Sequence, residues 1–172
     1  MKLVRWGKPG KEKPGIIDAD GKIRDLSAVV PDIAGAALSP MALAKIAKAR
    51  LEKLPLVRGK PRLGPCVGSV PNFYAVGLNY ADHAAETGAP IPAEPILFNK
   101  ATSCIMGPND EVMIPKGSKK TDWEVELAIV IGSRASYVSQ REAMEVIAGF
   151  CICNDVSAVS YTHLRAHETE AD

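Results

Sequence analysis

The chain has 172 residues and a mass of 18.3 kDa, which suffices for one globular domain or one domain with a small appendage. Its hydrophobic fraction of 47% and charged fraction of 24% are those of a globular protein and exclude an intrinsically disordered chain. The chain has 21 Lys and Arg residues and 20 Asp and Glu residues, which gives a net charge of +1. This balance provides no basic surface for nucleic acid.

The first part of the chain predicts a small β unit followed by a helix. Asp20 and Gly21 lie between two apolar segments, and this dipeptide supplies the positive φ angles of a tight hairpin turn. Ser39 is a favourable N-cap, Pro40 suits the first helical position, and apolar residues then recur at helical spacing. Residues 55–72 are rich in proline and glycine and predict a linker.

The second part of the chain predicts short strands separated by loops. The expected elements are a strand in FYAVGLNY, a short helix starting at residues 82–87, the clearest strand in WEVELAIVIG, a helix over 139–146 capped by Ser139, and a strand in GFCICND. We expect a small N-terminal domain and linker at residues 1–66 and a second unit at residues 67–158.

Three acidic residues form the first candidate site. Glu124 and Glu126 alternate with apolar residues, so a strand places both carboxylates on one face about 7 Å apart. Asp155 follows the predicted GFCIC strand. Three carboxylates form a hard oxygen donor set that suits Mg²⁺, Mn²⁺ or Ca²⁺ and not zinc. The alternative interpretation is a solvated strand face without a ligand.

A second candidate is the pair His83 and Glu86. These residues share one helix face at i and i+3, where the carboxylate can orient the imidazole as a general base for water. A chance surface pair is the alternative. Lys100 follows an apolar run and is a candidate to bind an anionic substrate, although a single lysine is more often simply solvated.

The four cysteines of the chain do not predict a disulfide framework. Cys151 and Cys153 share one strand face, and their spacing favours small buried side chains over a zinc site. The N-terminus has no apolar signal segment, and no apolar run is long enough to cross a bilayer. We therefore expect a reduced, cytoplasmic protein with no membrane or nucleic-acid partner.

Five segments occur in a fixed order: GLNYADHAAETG, EPILFNK, GPNDEV, GSKKTDWEVELAIVIG and AGFCICNDVS. This series, over about residues 70–157, resembles the fumarylacetoacetate hydrolase family and is closest to its bacterial 2,4-diketo-3-deoxy-L-fuconate hydrolase branch. Residues 1–65 also resemble the small N-terminal domain of bacterial members. The resemblance implies an α+β, mostly β fold, in which a small α/β domain precedes a mixed β-roll whose N-terminal half alone is present.

The resemblance also implies a role for each candidate residue. Glu124, Glu126 and Asp155 match the family's three Mg²⁺ or Mn²⁺ ligands, and His83 with Glu86 matches the dyad that activates water. The implied reaction is hydrolysis of a carbon–carbon bond in a 2,4-diketo acid or acylpyruvate by a homodimer. Isomerase, decarboxylase or lyase activity remains an alternative, since similar sequences are called 2-hydroxyhepta-2,4-diene-1,7-dioate isomerase or ureidoglycolate lyase. A non-catalytic fragment is the third interpretation.

The family pattern stops after Asp155-Val156-Ser157. A later lysine in a KGxD-type motif and a TGTP-type turn are missing, and residues 159–169 resemble one reading frame of a sequencing-library adapter. We interpret residues 159–172 as a non-native tail and give no weight to its His163 and His167. A β-roll cut near its middle exposes strand edges and an apolar sheet face, so we expect the 172-residue chain to be poorly soluble and inactive.

Overall fold

The computed structural model describes residues 1–158, so the tail predicted for residues 159–172 lies outside the described residues. The described part is mostly β, as expected, with two α-helices and four short 3₁₀ turns. The strands are β1 Lys2–Trp6, β2 Lys13–Ile17, β3 Ile23–Asp25, β4 Phe73–Gly77, β5 Ile96–Lys100, β6 Thr121–Asp122, β7 Val125–Ile131, β8 Ile147–Asn154 and β9 Ser157–Ala158. The α-helices are α1 Pro40–Ala47 and α2 Ala81–Thr87.

The N-terminal unit is an antiparallel sheet in the order β1-β2-β3, and it contains the predicted hairpin. Gly21 adopts a φ of 76°, which a residue with a side chain rarely does. The Asp18 carboxylate accepts hydrogen bonds from the backbone N–H groups of Asp20 and Lys22 and so closes the turn.

The predicted helix at Pro40 is also present. The Ser39 hydroxyl accepts a hydrogen bond from the Ala42 N–H at 3.3 Å, which satisfies one unpaired donor of the first turn. The apolar face of α1 completes the N-terminal core, in which Leu26 and Ile46 are fully buried. Val130 of β7 and Ala148 of β8 pack against this core from the second unit.

The segment predicted as a linker is held against both units. Single β-bridges join Leu56 to Arg24 and Leu63 to Trp6. The Arg62 guanidinium binds Glu12 at 2.9 Å in the N-terminal unit and Asp110 at 2.6 Å in the second unit. This stretch of proline and glycine is therefore an ordered strap between the two units.

The second unit consists of three two-stranded antiparallel sheets, β4-β5, β6-β9 and β7-β8. The helix predicted over 139–146 is wrong: only a 3₁₀ turn, Ala143–Val146, forms there. The Glu142 carboxylate accepts hydrogen bonds from the backbone and hydroxyl of Ser139, as in a capping box. Because β8 begins at Ile147, the chain turns into a strand before a full helix develops.

One face of the β7-β8 sheet is apolar and exposed, as expected for an incomplete β-roll. Its six apolar side chains are 53–81% exposed, and we call them the outer face: Val125, Leu127, Ile129, Ile131, Phe150 and Ile152. The opposite face carries Glu126, Ala128 and Val130, which are half-buried. Neither α-helix in residues 1–158 has the length and apolar character required to cross a bilayer.

Candidate functional site

Strand pairing brings the three predicted carboxylates together at one end of the β7-β8 sheet. Glu126 lies in β7 opposite Cys153 of β8, and Glu124 immediately precedes β7. The backbone N–H of Asp155 donates a hydrogen bond to the Glu124 carbonyl at 2.8 Å, which extends the ladder past the end of both strands. All three acidic residues are half-buried.

The electrostatics of this cluster show unbalanced negative charge. Burial, followed by the negative charges of Glu124 and Asp155, raises the pKa of the Glu126 carboxyl, and Lys100 opposes this shift. The Lys100 ammonium lies 2.9 and 2.8 Å from the two Asp155 carboxylate oxygens. Lys100 is therefore a member of the cluster and not a solvated surface lysine.

The chemistry of the cluster fits a hard divalent cation. In residues 1–158, no group of three or more His, Cys, Asp or Glu side chains is arranged to hold a metal ion. The negative charges of Glu124 and Asp155 nevertheless lie close enough to Glu126 to raise the pKa of its carboxyl, and Lys100 pairs with Asp155. Oxygen donors with excess negative charge are those that Mg²⁺ and Mn²⁺ prefer.

Helix α2 carries the second predicted pair and is anchored to β7, which begins directly after Glu124 and contains Glu126. His83 and Glu86 are exposed on α2. The Tyr80 hydroxyl donates a hydrogen bond to the Val125 carbonyl at 3.2 Å and so attaches the start of α2 to the start of β7. Ala84, which is 1% exposed, packs the middle of the helix against the protein.

The chain enters α2 through an uncommon backbone conformation. Leu78, between β4 and Tyr80, has a φ of 48°, in the left-handed region that residues with large side chains rarely adopt. Such conformations concentrate at functional sites because the surrounding structure must enforce them. The sequence analysis did not single out Leu78 or Tyr80, since neither residue type indicates a turn or a ligand.

Cys151 and Cys153 lie on β8 and are half-buried on the same side of the sheet as Glu126. The small side chains expected at these positions therefore lie next to the carboxylate cluster, on the same side of the sheet. Cys66, which lies in the strap, is also half-buried.

The sequence profile of the family described as "Fumarylacetoacetate (FAA) hydrolase C-terminal" matches residues 72–170. A Burkholderia multivorans protein, named only as an inferred hydrolase, is 59% identical over 157 residues. The match covers 91% of this chain and 56% of that relative, and a Burkholderia ambifaria protein with the same description gives the same values. The chain therefore spans little more than half the length of these relatives.

Two solved structures extend the similarity to the fold. A fumarylacetoacetate hydrolase from Exiguobacterium antarcticum superposes with a TM-score of 0.77 at 28% identity, over 96% of this chain and 59% of its own. A 5-carboxymethyl-2-hydroxymuconate delta-isomerase from Mycobacterium smegmatis superposes with a TM-score of 0.65 at 28% identity, over 97% of this chain and 59% of its own.

Proposed function

Because the chain belongs to the fumarylacetoacetate hydrolase family, we propose that it is the metal-binding part of a hydrolase that cleaves a carbon–carbon bond in a 2,4-diketo acid or acylpyruvate. The observation that carries this proposal is the convergence of Glu124, Glu126 and Asp155 at the end of one sheet. The anchoring of α2 to the same strand supports it further.

Glu124, Glu126 and Asp155 would hold the Mg²⁺ or Mn²⁺ ion. When bound, the ion would stabilise negative charge that develops on the substrate oxygens. Lys100, which already contacts Asp155, would place a positive charge beside the carboxylate of the substrate. A small anionic oxo acid is therefore the substrate class that this charge arrangement favours.

His83 and Glu86 would supply the proton transfer. At i and i+3 of α2, the Glu86 carboxylate can orient the His83 imidazole and stabilise its protonated form. The neutral imidazole would accept a proton from a water molecule, which then attacks the carbonyl carbon next to the bond that breaks. General-base catalysis of this kind contributes about 10²- to 10⁴-fold to a rate.

The test uses this chain extended by the C-terminal portion of the Burkholderia multivorans relative, since the chain covers 56% of that protein. An acylpyruvate is supplied with Mg²⁺, and release of pyruvate is measured. We expect turnover that Glu86→Gln reduces by about 10²-fold or more. Glu94→Gln, in the exposed loop after α2, is the matched control and should leave turnover unchanged.

An isomerase, decarboxylase or lyase is the second candidate, because one similar structure is that of an isomerase. These reactions use the same carboxylates and differ in whether a water molecule must be deprotonated. Glu86→Gln should therefore abolish hydrolysis and leave decarboxylation of an oxo acid largely intact. Equal loss of both activities would contradict the water-activating role of the pair.

A further inference from the structure

Helix α2 carries His83 and Glu86 but has little within itself to fix its direction. It spans seven residues, Ala81–Thr87, and the side chain of its N-cap residue, Tyr80, makes no capping hydrogen bond. Helices shorter than about 12 residues are marginally stable by themselves, so most of their stability comes from contacts with the rest of the protein. The orientation of His83 and Glu86 therefore depends on how α2 is attached.

The backbone that leads into α2 does not favour this direction either. Strand β4 ends at Gly77, and the next residue, Leu78, has a φ of 48° in the left-handed region. A leucine keeps this conformation only where the contacts around it hold the chain in place. Tyr80, two residues later, supplies such a contact.

This contact is a hydrogen bond from the Tyr80 hydroxyl to the Val125 carbonyl, with an oxygen–oxygen distance of 3.2 Å. Val125 is the first residue of β7 and lies opposite Asn154 of β8. The Asp155 N–H bonds the preceding carbonyl, that of Glu124, so the alternating antiparallel pattern turns the Val125 carbonyl away from β8. Tyr80 therefore binds an acceptor on the edge of β7 with which no other strand of residues 1–158 pairs.

The acceptor belongs to the peptide group that joins Val125 to Glu126. On the opposite edge of this segment, the Glu124 N–H donates a hydrogen bond to the side-chain oxygen of Asn154 at 3.2 Å. The backbone that carries both glutamates is thus held by β8 along one edge, and α2 is attached along the other. The Tyr80 hydroxyl therefore ties α2 to the strand segment that carries these carboxylates.

We propose that Tyr80 is a positioning residue, whose hydroxyl holds α2, and with it His83 and Glu86, at the strand segment that carries Glu124 and Glu126. This inference rests on the proposed function, in which the water-activating pair acts beside the carboxylates. Proton transfer requires the reacting groups to be held in one geometry. A reaction that uses the water-activating pair therefore depends on the Tyr80 hydrogen bond, whereas a reaction that uses the carboxylates alone does not.

The first test measures hydrogen–deuterium exchange by mass spectrometry in the full 172-residue chain and in its Tyr80→Phe variant, which lacks only the hydroxyl. Amide exchange in α2 should become about 2- to 10-fold faster, the range expected when one hydrogen bond is lost. Exchange in β8 should stay the same, which shows that the sheet is intact. Free exchange of α2 in the wild type, or unchanged exchange of α2 in the variant, would overturn the proposal.

Tyr74→Phe is the matched control, since it also removes one tyrosine hydroxyl. Tyr74 lies on β4 and is 62% exposed, and its hydroxyl has no hydrogen-bond partner among residues 1–158. This variant should leave exchange in α2 unchanged. Equal acceleration of exchange in Tyr74→Phe and Tyr80→Phe would show that the bond to Val125 is not the cause.

The second test uses the extended chain of the activity assay. Tyr80→Phe should lower kcat for acylpyruvate hydrolysis about tenfold and leave KM, the affinity for Mn²⁺ and the decarboxylation of oxaloacetate unchanged. Parallel loss of hydrolysis and decarboxylation would contradict a positioning role. If the wild type hydrolyses no acylpyruvate, the proposed function fails, and the exchange measurement still decides whether Tyr80 holds α2.

Discussion

At the scale of single residues, the ion pair of Arg62 and Asp110 fixes the strap and gives stability a pH dependence. Hydrogen bonds from the Arg62 guanidinium and from the Gly107 N–H lower the pKa of the Asp110 carboxyl. A carboxyl with a lowered pKa stabilises the folded state above its unfolded pKa of about 4, and this contribution is lost as the pH falls below that value.

We therefore expect Asp110→Asn to lower the Tm at pH 7. The difference from the wild type should shrink progressively as the pH is lowered below about 4, because the unfolded carboxyl binds a proton first and the folded carboxyl, whose pKa is lowered, follows at lower pH. Thermal unfolding followed by circular dichroism measures this difference. Glu111→Gln, at the exposed neighbouring position, is the control and should change the Tm little at any pH. A Tm difference that stays constant with pH would refute the role of this ion pair.

The candidate residues differ in how far the sequence could predict their surroundings. Glu124 and Glu126 were placed on one face by strand alternation alone, and the register of β7 with β8 brings Asp155 beside them. The pairing of Lys100 with Asp155 could not be predicted, because it depends on how β5 and β8 are arranged in space. Long-range contacts of this kind leave no local sequence pattern.

At the scale of elements, Gly132 lets the β7-β8 sheet lie close to the N-terminal core. A Cβ atom at this position would lie 2.3 Å from the Leu38 carbonyl oxygen and 2.8 Å from the Ala148 Cβ. Gly149 on β8 has nothing within 4 Å of its ideal Cβ position. The two glycines thus differ in packing, although they lie in the same sheet region.

Gly132→Ala should force these elements apart and destabilise the protein by about 1–3 kcal/mol. That corresponds to a loss of several degrees in Tm for a chain of this size. Gly149→Ala, the matched control, should leave the Tm close to that of the wild type. A differential scanning measurement in which both variants melt alike would show that the close approach of Gly132 does not matter for stability.

The elements that the sequence predicted well are those with local causes. The hairpin at Gly21 and the cap at Ser39 depend on backbone conformation and on hydrogen bonds within a few residues. The helix expected after Ser139 failed because pairing of β8 with β7 extends the chain from Ile147 onward. Tertiary strand pairing there overrides a valid helix start signal.

At the scale of the whole molecule, the outer face is the largest departure from an ordinary globular surface. Its six apolar side chains are 53–81% exposed and adjacent on one sheet. Contiguous apolar patches of this kind promote association and bind apolar dyes. The alternation in β7 predicted two distinct faces, and the expected truncation of the β-roll predicted an exposed apolar sheet face. The structure shows which side chains of residues 1–158 form that face.

We expect the 172-residue chain to bind the dye 8-anilinonaphthalene-1-sulfonate and to associate as its concentration rises. The double variant Leu127→Glu with Ile152→Lys places opposite charges on a cross-strand pair and should reduce both effects. Met41→Lys, which removes an apolar side chain that is 83% exposed on α1, should not. Dye fluorescence and sedimentation velocity provide the readouts, and equal behaviour of the two variants would exclude the outer face as the cause.

The most direct test of the proposed metal site is isothermal titration of Mn²⁺ into the chain extended as described for the activity assay. We predict one bound ion per chain, an affinity that falls at least about tenfold in Glu126→Gln, and no change in Glu145→Gln at an exposed position. Absence of Mn²⁺ binding, or equal binding by Glu126→Gln, would contradict the metal site on which the proposed hydrolase depends.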